Sequence, residues 1–209
     1  MSVLDKLASA IGRRDEKPNQ ELAKQLVKSG DKKAVKELVE NLFSKDKNIQ
    51  SDCIKVLYEI GELDAELIAD YDREFLLLLE QKNNRLIWGA MTALDCIAGI
   101  NPKGIYKNLN KIMDASDKGS VITKDHGINI LTQLAKTKTY ADNVLTLLLA
   151  ELKTCATNQL PKYAENAVPV ITDAYKNEFI KVLSSRLGDM EKETKKKRLE
   201  KAIQKLTAK

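Results

Sequence analysis

Apolar residues recur every three or four positions through most of this chain, with polar residues between them. The clearest segments are 35–43 (VKELVENLF), 49–63 (IQSDCIKVLYEIGEL), 73–81 (REFLLLLEQ) and 143–154 (NVLTLLLAELKT). Spacings of i, i+3, i+4 and i+7 place side chains on one face of an α-helix. No segment alternates apolar and polar residues between hairpin turns, as a β-strand would. The pattern therefore predicts an all-α chain.

Short polar breaks separate the predicted helices. They are rich in the Gly, Asn, Asp, Ser and Pro residues that form turns. The five clearest breaks are residues 29–31, 44–48, 81–84, 101–104 and 117–120. Pro169 falls inside a later helical segment, where its missing backbone donor is expected to kink the helix.

The helical pattern repeats with a period of 37 residues. A column of large apolar residues contains Leu57, Leu94, Leu131 and Val168. The positions four residues before it are small: Cys53, Ala90, Gly127 and Ala164. The positions four residues after it are also small: Gly61, Ala98, Ala135 and Thr172. Another column, in the preceding helices, contains Leu38, Phe75, Ile112 and Leu149. Each unit is thus a helical hairpin that buries its apolar face only by stacking on its neighbours.

The second helix of each unit resembles that of HEAT repeats. In that family an apolar residue is followed by a small residue, two large apolar residues and another small residue. The first copy of this run is Ile49, Cys53, Leu57, Ile60 and Gly61. The Arg that the family places after the first apolar residue is replaced in the four copies by Gln50, Ile87, Lys124 and Pro161. The family's regular Asp/Arg ladder between repeats is therefore missing.

The resemblance implies a right-handed α-α superhelix, a HEAT-like α-solenoid of about five helical hairpins plus a basic C-terminal helix. We expect a single domain over residues 1–209, with the repeats in 33–188. Residues 1–32 are expected to form a degenerate capping hairpin, and 189–209 a basic capping helix. A helix that docks on a membrane surface or a partner is the alternative for the N-terminal segment.

Composition narrows the compartment and the chemistry. Hydrophobic residues make up 43% of the chain, but no apolar run approaches the ~20 residues of a membrane span. The N-terminal residues lack the apolar core of a signal peptide. Three cysteines without CxxC spacing indicate free thiols in a reducing, cytoplasmic setting. One histidine and scattered cysteines predict no metal site, and no sequence motif calls for a cofactor.

The net charge of +5 is concentrated at the C-terminus. Residues 189–209 carry eight basic and four acidic side chains. The candidate residues of this basic tail are Lys195, Lys196, Lys197, Arg198, Lys201 and Lys205. They form either a surface for nucleic acid or an acidic partner, or a solvated helix face with i,i+4 ion pairs.

The resemblance also implies that the second helices line a concave surface. Its candidate partner-binding residues are Tyr58, Trp88, Thr92, Asp95, Asp125, Asn129 and Lys162. Trp88, the single Trp, has two interpretations: an exposed anchor for a partner, or a ring packed against Tyr58 as part of the core. His126 is interpreted as a polar helix residue without an orienting partner.

These features predict a non-catalytic scaffold or adaptor that binds a protein partner through the concave surface. The alternative is a nucleic-acid-binding HEAT-like protein, including an alkylpurine DNA glycosylase, because some of those enzymes place Trp and Asp on such a surface. Few Lys or Arg residues are available there for phosphates. A third hypothesis is an adaptor that docks a separate catalytic subunit. No Gly-rich phosphate loop, HExxH or GxSxG motif is present, so the chain itself is predicted not to be an enzyme.

Overall fold

The computed structural model describes residues 2–207. Within this range the chain forms α-helices and short 3-10 segments, and no β-strand. The predicted all-α class is therefore confirmed. No helix in the described part of the chain combines the length and apolar character needed to cross a membrane.

The chain divides into two compact units, residues 1–127 and 128–209, with the boundary inside helix α8. The helices up to and including that boundary are α1 (Lys17–Ser29), α2 (Lys32–Glu40), α3 (Lys47–Leu63), α4 (Asp72–Leu78), α5 (Asn84–Ile97), α6 (Pro102–Lys107), α7 (Leu109–Lys118) and α8 (Val121–Leu134). The remaining helices are α9 (Lys138–Thr154), α10 (Leu160–Ala167), α11 (Asp173–Ser185) and α12 (Glu193–Thr207).

Turn-forming residues lie at the ends of these helices, where they cap the backbone or reverse its direction. Asp46 caps α3 by accepting hydrogen bonds from the backbone N–H groups of the first turn, and Asn83 does the same for α5. Gly30 ends α1 with a φ of 62°, a left-handed conformation that favours glycine. Each of the five predicted breaks contains a helix end, but residues 102–104 already belong to α6, so only Asn101 of that break lies outside a helix.

In the first unit, α3 packs between α1 and α5, while α2 and α4 pack against α3 and α5 respectively. The large column residues Leu57 and Leu94 are fully buried, and the small residues Cys53 and Ala90 beside them are buried too. Small side chains let the helix axes approach closely, and the large ones fill the space on either side. Helices α3 and α5 therefore lie side by side and carry neighbouring polar side chains.

Residues 2–12 are held on the first unit by both apolar and polar contacts. Val3 and Leu7 are buried, whereas Ile11 is exposed. The backbone N–H of Ser9 donates to the Asp52 carboxylate, and that of Ala8 donates to the Asn19 side chain. The segment thus packs on α1 and α2 of the first unit.

In the second unit, α9 packs with α10 and α11, and α12 packs with α10 and α11. Leu160 and Ala164 of α10 are buried, as are Leu199 and Leu206 of α12. Pro169 does more than kink its helix: α10 ends at Ala167 and a 3-10 turn, Val168–Val170, follows. The apolar side of the basic tail thus packs inward.

Candidate partner-binding surface

Trp88 of α5 lies on Tyr58 of α3. The ring centroids are 5.6 Å apart and the planes are tilted by 54°. The approach depends on Gly89, because a Cβ there would lie 2.7 Å from Ile54 of α3. Trp88 is partly exposed, whereas Tyr58 is only 6% exposed. The Trp88 ring thus packs on Tyr58 while the residue stays partly exposed.

Lys55 lies one turn before Tyr58 and is buried, with its side chain 7% exposed. Its Nζ lies 2.6 Å from a Glu59 carboxylate oxygen and 4.7 Å from the Tyr58 ring centroid. Burial acts to lower the pKa of Lys55, but hydrogen bonds to Glu59, Tyr58 and Glu16 outweigh it and raise the pKa above its usual value. Lys55 therefore stays charged beneath the aromatic pair.

Glu16, at the start of α1, joins this cluster from outside the repeats. Its carboxylate lies 2.9 Å from Lys55 Nζ and 3.0 Å from Arg85 Nη2. Gln20, one turn later on α1, donates a hydrogen bond of 3.2 Å to Glu59. The polar network thus links α1, α3 and α5 at the base of Trp88. We call the surface formed by Lys55, Tyr58, Arg85, Trp88 and Asp95 the Trp88 surface.

Thr92, His126 and Asp95 form a second polar cluster, between α5 and α8. His126 Nε2 lies 2.9 Å from the Thr92 hydroxyl, and Nδ1 lies 2.8 Å from a carboxylate oxygen of Asp95. The hydroxyl also donates a hydrogen bond of 2.9 Å to the Trp88 carbonyl, one helical turn earlier. Contrary to the prediction from sequence, His126 has an orienting carboxylate, and it comes from the neighbouring helix.

The order hydroxyl, imidazole and carboxylate is that of a nucleophilic triad, but the details differ. A nucleophile must be reachable, and Thr92 is 5% exposed. It must also pass its proton to the imidazole, whereas the Thr92 proton is directed to the Trp88 carbonyl. This arrangement is suited to fixing α5 against α8 beside Trp88.

The carboxylate of Glu62, one turn after Tyr58 on α3, interacts electrostatically with charged groups of both clusters. Partial burial and the charge of Glu59 raise the pKa of Glu62, and Asp95 acts in the same direction. Lys55 and His126 oppose this rise. Acidic and basic groups thus lie close together around the Trp88 surface.

The predicted contact residues fall into several environments. Tyr58 and Thr92 are buried and support Trp88 from beneath, although their columns in the sequence pattern predict outward positions. Asp95 and Asp125 are partly exposed in the first unit. In the second unit Asn129 accepts a hydrogen bond of 3.1 Å from Asn166, 37 residues later, and Lys162 is exposed.

The basic tail forms the outer face of α12. Lys197, Arg198, Lys201 and Lys205 are exposed, and Lys195 and Lys196 are partly exposed. Arg198 pairs with Glu165 of α10 through two hydrogen bonds, of 2.8 and 2.6 Å, and Lys195 contacts Asn158. The predicted i,i+4 pairs within the tail do not form among the described residues.

Sequence reasoning missed two parts of this surface. Glu16 lies outside the repeating pattern, so no column pointed to it. The partner of His126 is likewise not a chain neighbour, because it lies on α5, 31 residues earlier. No cluster of His, Cys, Asp or Glu suited to a metal ion occurs within residues 2–207.

Neither a protein-family model nor a curated protein matches this chain. Several solved structures do. A designed armadillo repeat protein in complex with the peptide (KR)4 is 16% identical, with a TM-score of 0.66 over 90% of this chain and 86% of that one. A computationally designed armadillo repeat protein for modular peptide recognition is 14% identical, with a TM-score of 0.66 over 88% and 86% of the two chains. An engineered protein is 19% identical, with a TM-score of 0.64 over 100% of both chains. This chain therefore has the fold of an armadillo-type helical repeat solenoid.

Proposed function

We propose that this chain is a non-catalytic repeat scaffold that binds a protein partner through its second helices, with Trp88 as the anchor. The observation that carries the proposal is the partly exposed Trp88 ring packed on a buried Tyr58. Binding hot spots are enriched in Trp and lie on rigid, well-packed supports. Fixing the ring in advance reduces the entropy that binding would cost.

The polar residues around Trp88 support a recognition role. Arg85 lies three residues before it on α5 and Asp95 seven residues after, so all three share one helix face. Both charges are partly exposed, which places polar groups at the rim of an aromatic anchor. We extend the proposal, by repeat column, to Asn129 and Lys162 of the second unit. HEAT-like repeats are part of the proposal, supported by the 37-residue columns of two-helix units.

The designed neighbour's (KR)4 peptide does not define the partner of this chain. Glu16 and Glu59 already bind Lys55, and Glu16 also binds Arg85. The carboxylates beside Trp88 are therefore paired with cations of the chain itself.

We place the protein in the cytoplasm, consistent with three cysteines that form no disulfide.

The test is capture of partners by the full chain as bait, followed by affinity measurement with each purified partner. Trp88→Ala is expected to weaken binding at least about tenfold, the loss typical of a hot-spot aromatic. Leu77→Ala is the matched control, because Leu77 is 49% exposed on α4 and lies outside the Trp88 surface. Equal binding by wild type and Trp88→Ala for every partner would overturn the proposal.

A second candidate function is nucleic-acid binding by the basic tail. Lys197, Lys201 and Lys205 lie one turn apart on the exposed face of α12, and none forms an ion pair with another described residue. Such a stripe can neutralise backbone phosphates, and its binding would weaken steeply with salt. A gel-shift titration at 50 and 200 mM salt tests this, as an order-of-magnitude design. Absent or salt-independent binding would exclude this function.

A further inference from the structure

The carboxylate of Glu16 is held by two cations from different helices. One oxygen lies 2.9 Å from Lys55 Nζ of α3, and the other lies 3.0 Å from Arg85 Nη2 of α5. Glu16 makes no capping hydrogen bond to α1, the helix that it precedes. Its side chain therefore pairs with cations of two neighbouring repeats instead of capping its own helix.

Lys55 does not depend on Glu16 for its position. Lys55 is held by Glu59 at 2.6 Å and stands over the Tyr58 ring at 4.7 Å. A buried charge without a partner is costly, but Lys55 would keep Glu59 if Glu16 moved away. Arg85 would then lose its partner carboxylate. What remains is the Lys55 ammonium, still held in place, with the Arg85 guanidinium beside it, and together they can receive another carboxylate.

Glu16 is also exposed enough for an external carboxylate to replace it. Its side chain is 44% exposed and that of Arg85 is 42% exposed. The Glu16–Arg85 pair, exposed on both sides, contributes about 1 kcal/mol or less, so an external carboxylate can compete with Glu16 for Arg85. Residues 12–15, which precede Glu16, are all exposed. Arg85 shares a helix face with Trp88, so an incoming carboxylate would lie next to the anchor.

We propose that Lys55 and Arg85 form a carboxylate-binding subsite, occupied by Glu16 in the free protein and by an acidic side chain of the bound partner. This rests on the proposed function, since it names the chemistry of the partner segment beside Trp88. Glu16 acts as an internal competitor that covers the cations until the partner arrives. The partner therefore carries an Asp or Glu next to the group that packs on Trp88.

The experiment titrates the full chain with a tetraglutamate peptide blocked at both ends, by isothermal titration calorimetry with Trp88 emission followed in parallel. Glu16→Gln is expected to bind the peptide at least about fivefold more tightly than wild type, since a competitor worth about 1 kcal/mol is removed. Adding Arg85→Gln to Glu16→Gln is expected to reverse this gain. Equal affinities for wild type and Glu16→Gln, or a gain that survives Arg85→Gln, would overturn the subsite.

Two controls make the result specific. Glu21→Gln, on the same helix, removes an exposed carboxylate that pairs only with Lys24 and should leave the affinity at the wild-type value. A blocked tetraglutamine peptide should not bind any variant. Tighter binding by Glu21→Gln would show that general charge explains the effect, and binding of tetraglutamine would show that carboxylates are not what is recognised. Either result would overturn the subsite.

A third comparison covers the case in which Glu16→Gln loosens α1, as seen by circular dichroism. Arg85→Gln in the otherwise wild-type chain is then the test, with at least about fivefold weaker peptide binding expected. Unchanged binding would overturn the subsite.

The subsite and the proposed function can fail separately. If Trp88→Ala loses its partners and Glu16→Gln leaves the peptide affinity unchanged, the subsite alone is rejected. The opposite pattern rejects the proposed function and leaves the subsite standing.

Discussion

His126 Nδ1 of α8 lies 2.8 Å from the Asp95 carboxylate of α5. The other ring nitrogen contacts the Thr92 hydroxyl at 2.9 Å, one turn earlier on α5. One imidazole therefore ties two successive turns of α5 to α8. Because Thr92 also donates to the Trp88 carbonyl, these hydrogen bonds reach the backbone of Trp88 itself. Their loss is expected to affect both stability and the environment of Trp88.

Thr92→Val and His126→Ala test this connection. Thr92→Val keeps the side-chain shape and removes the hydroxyl, so we expect a loss of about 1 kcal/mol in the free energy of unfolding. His126→Ala should cost about 2 kcal/mol, because the partly buried Asp95 carboxylate loses a hydrogen-bond donor. Urea unfolding followed by circular dichroism measures both. The double variant should lose less than the sum, and strict additivity would show that the two side chains are not coupled.

Tyr58 is expected to stabilise the fold and to fix Trp88. Tyr58→Ala removes a buried ring and should cost about 3 kcal/mol. It should also shift the Trp88 emission to longer wavelength, because the ring loses its apolar support. Tyr58→Phe keeps the ring and should cost no more than about 1 kcal/mol, with emission unchanged. An unshifted emission in Tyr58→Ala would contradict the support role.

The repeating part of the fold follows from sequence because it rests on side-chain volume. Leu57, Leu94 and the small residues beside them recur every 37 positions, and stacked helices accept such columns only where their faces meet. The buried columns lie where that pattern predicts, except at Thr172, which is exposed because α10 ends before it at Ala167. The departure at Pro169 is also local: a residue without a backbone donor ends α10 at Ala167.

The candidate surface was less predictable, because it depends on pairings between helices. Trp88 stood out as the single Trp, but its exposure depends on how closely Gly89 lets α5 approach Ile54. The contacts of Glu16 and His126 join residues 69 and 31 positions apart and follow no periodic rule. Pair geometry of this kind appears only once the helices are placed.

Gly127 provides a test of the small-residue column. A Cβ there would lie 2.3 Å from the Ser116 hydroxyl oxygen and 2.8 Å from Ser116 Cβ. Gly127→Ala should therefore destabilise the protein by about 1–3 kcal/mol, despite the better helix propensity of Ala. Gly188→Ala is the control, since nothing lies within 4 Å of a Cβ at that position. Thermal unfolding compares them, and equal midpoints would argue against a packing seam at Gly127.

The three thiols are expected to react slowly in the native protein. Burial is the main cause that raises the pKa of Cys53 and of Cys96 to about 12. Almost no thiolate therefore forms at about pH 8.5, where half of a free thiol would be ionised. Burial also raises the pKa of Cys155, but the Arg186 guanidinium opposes that rise. Iodoacetamide labelling read by mass spectrometry should modify Cys155 first. In urea all three should label at similar rates, and rapid native labelling of Cys53 would contradict the burial.

The Glu165–Arg198 pair gives the second unit a predicted pH dependence. The hydrogen bond from Arg198 is the main cause that lowers the pKa of Glu165 below its usual 4.5, and Lys205 and Lys201 add to it. A carboxyl group whose pKa is lower in the folded state stabilises the fold fully above its unfolded pKa. That contribution disappears as the pH falls through the folded pKa.

We therefore expect Glu165→Gln to be less stable than wild type at pH 7, by only about 0.5 kcal/mol because Arg198 is exposed and Glu165 is partly exposed. The difference should persist down to about pH 5 and shrink at lower pH, where wild-type Glu165 becomes protonated and neutral like Gln. Urea unfolding of both proteins between about pH 3 and pH 7 measures it. Glu178→Gln is the matched control, because Glu178 is exposed on α11 and forms no ion pair with another described residue. A stability difference that grows as the pH falls would mean that the pair does not lower the pKa of Glu165.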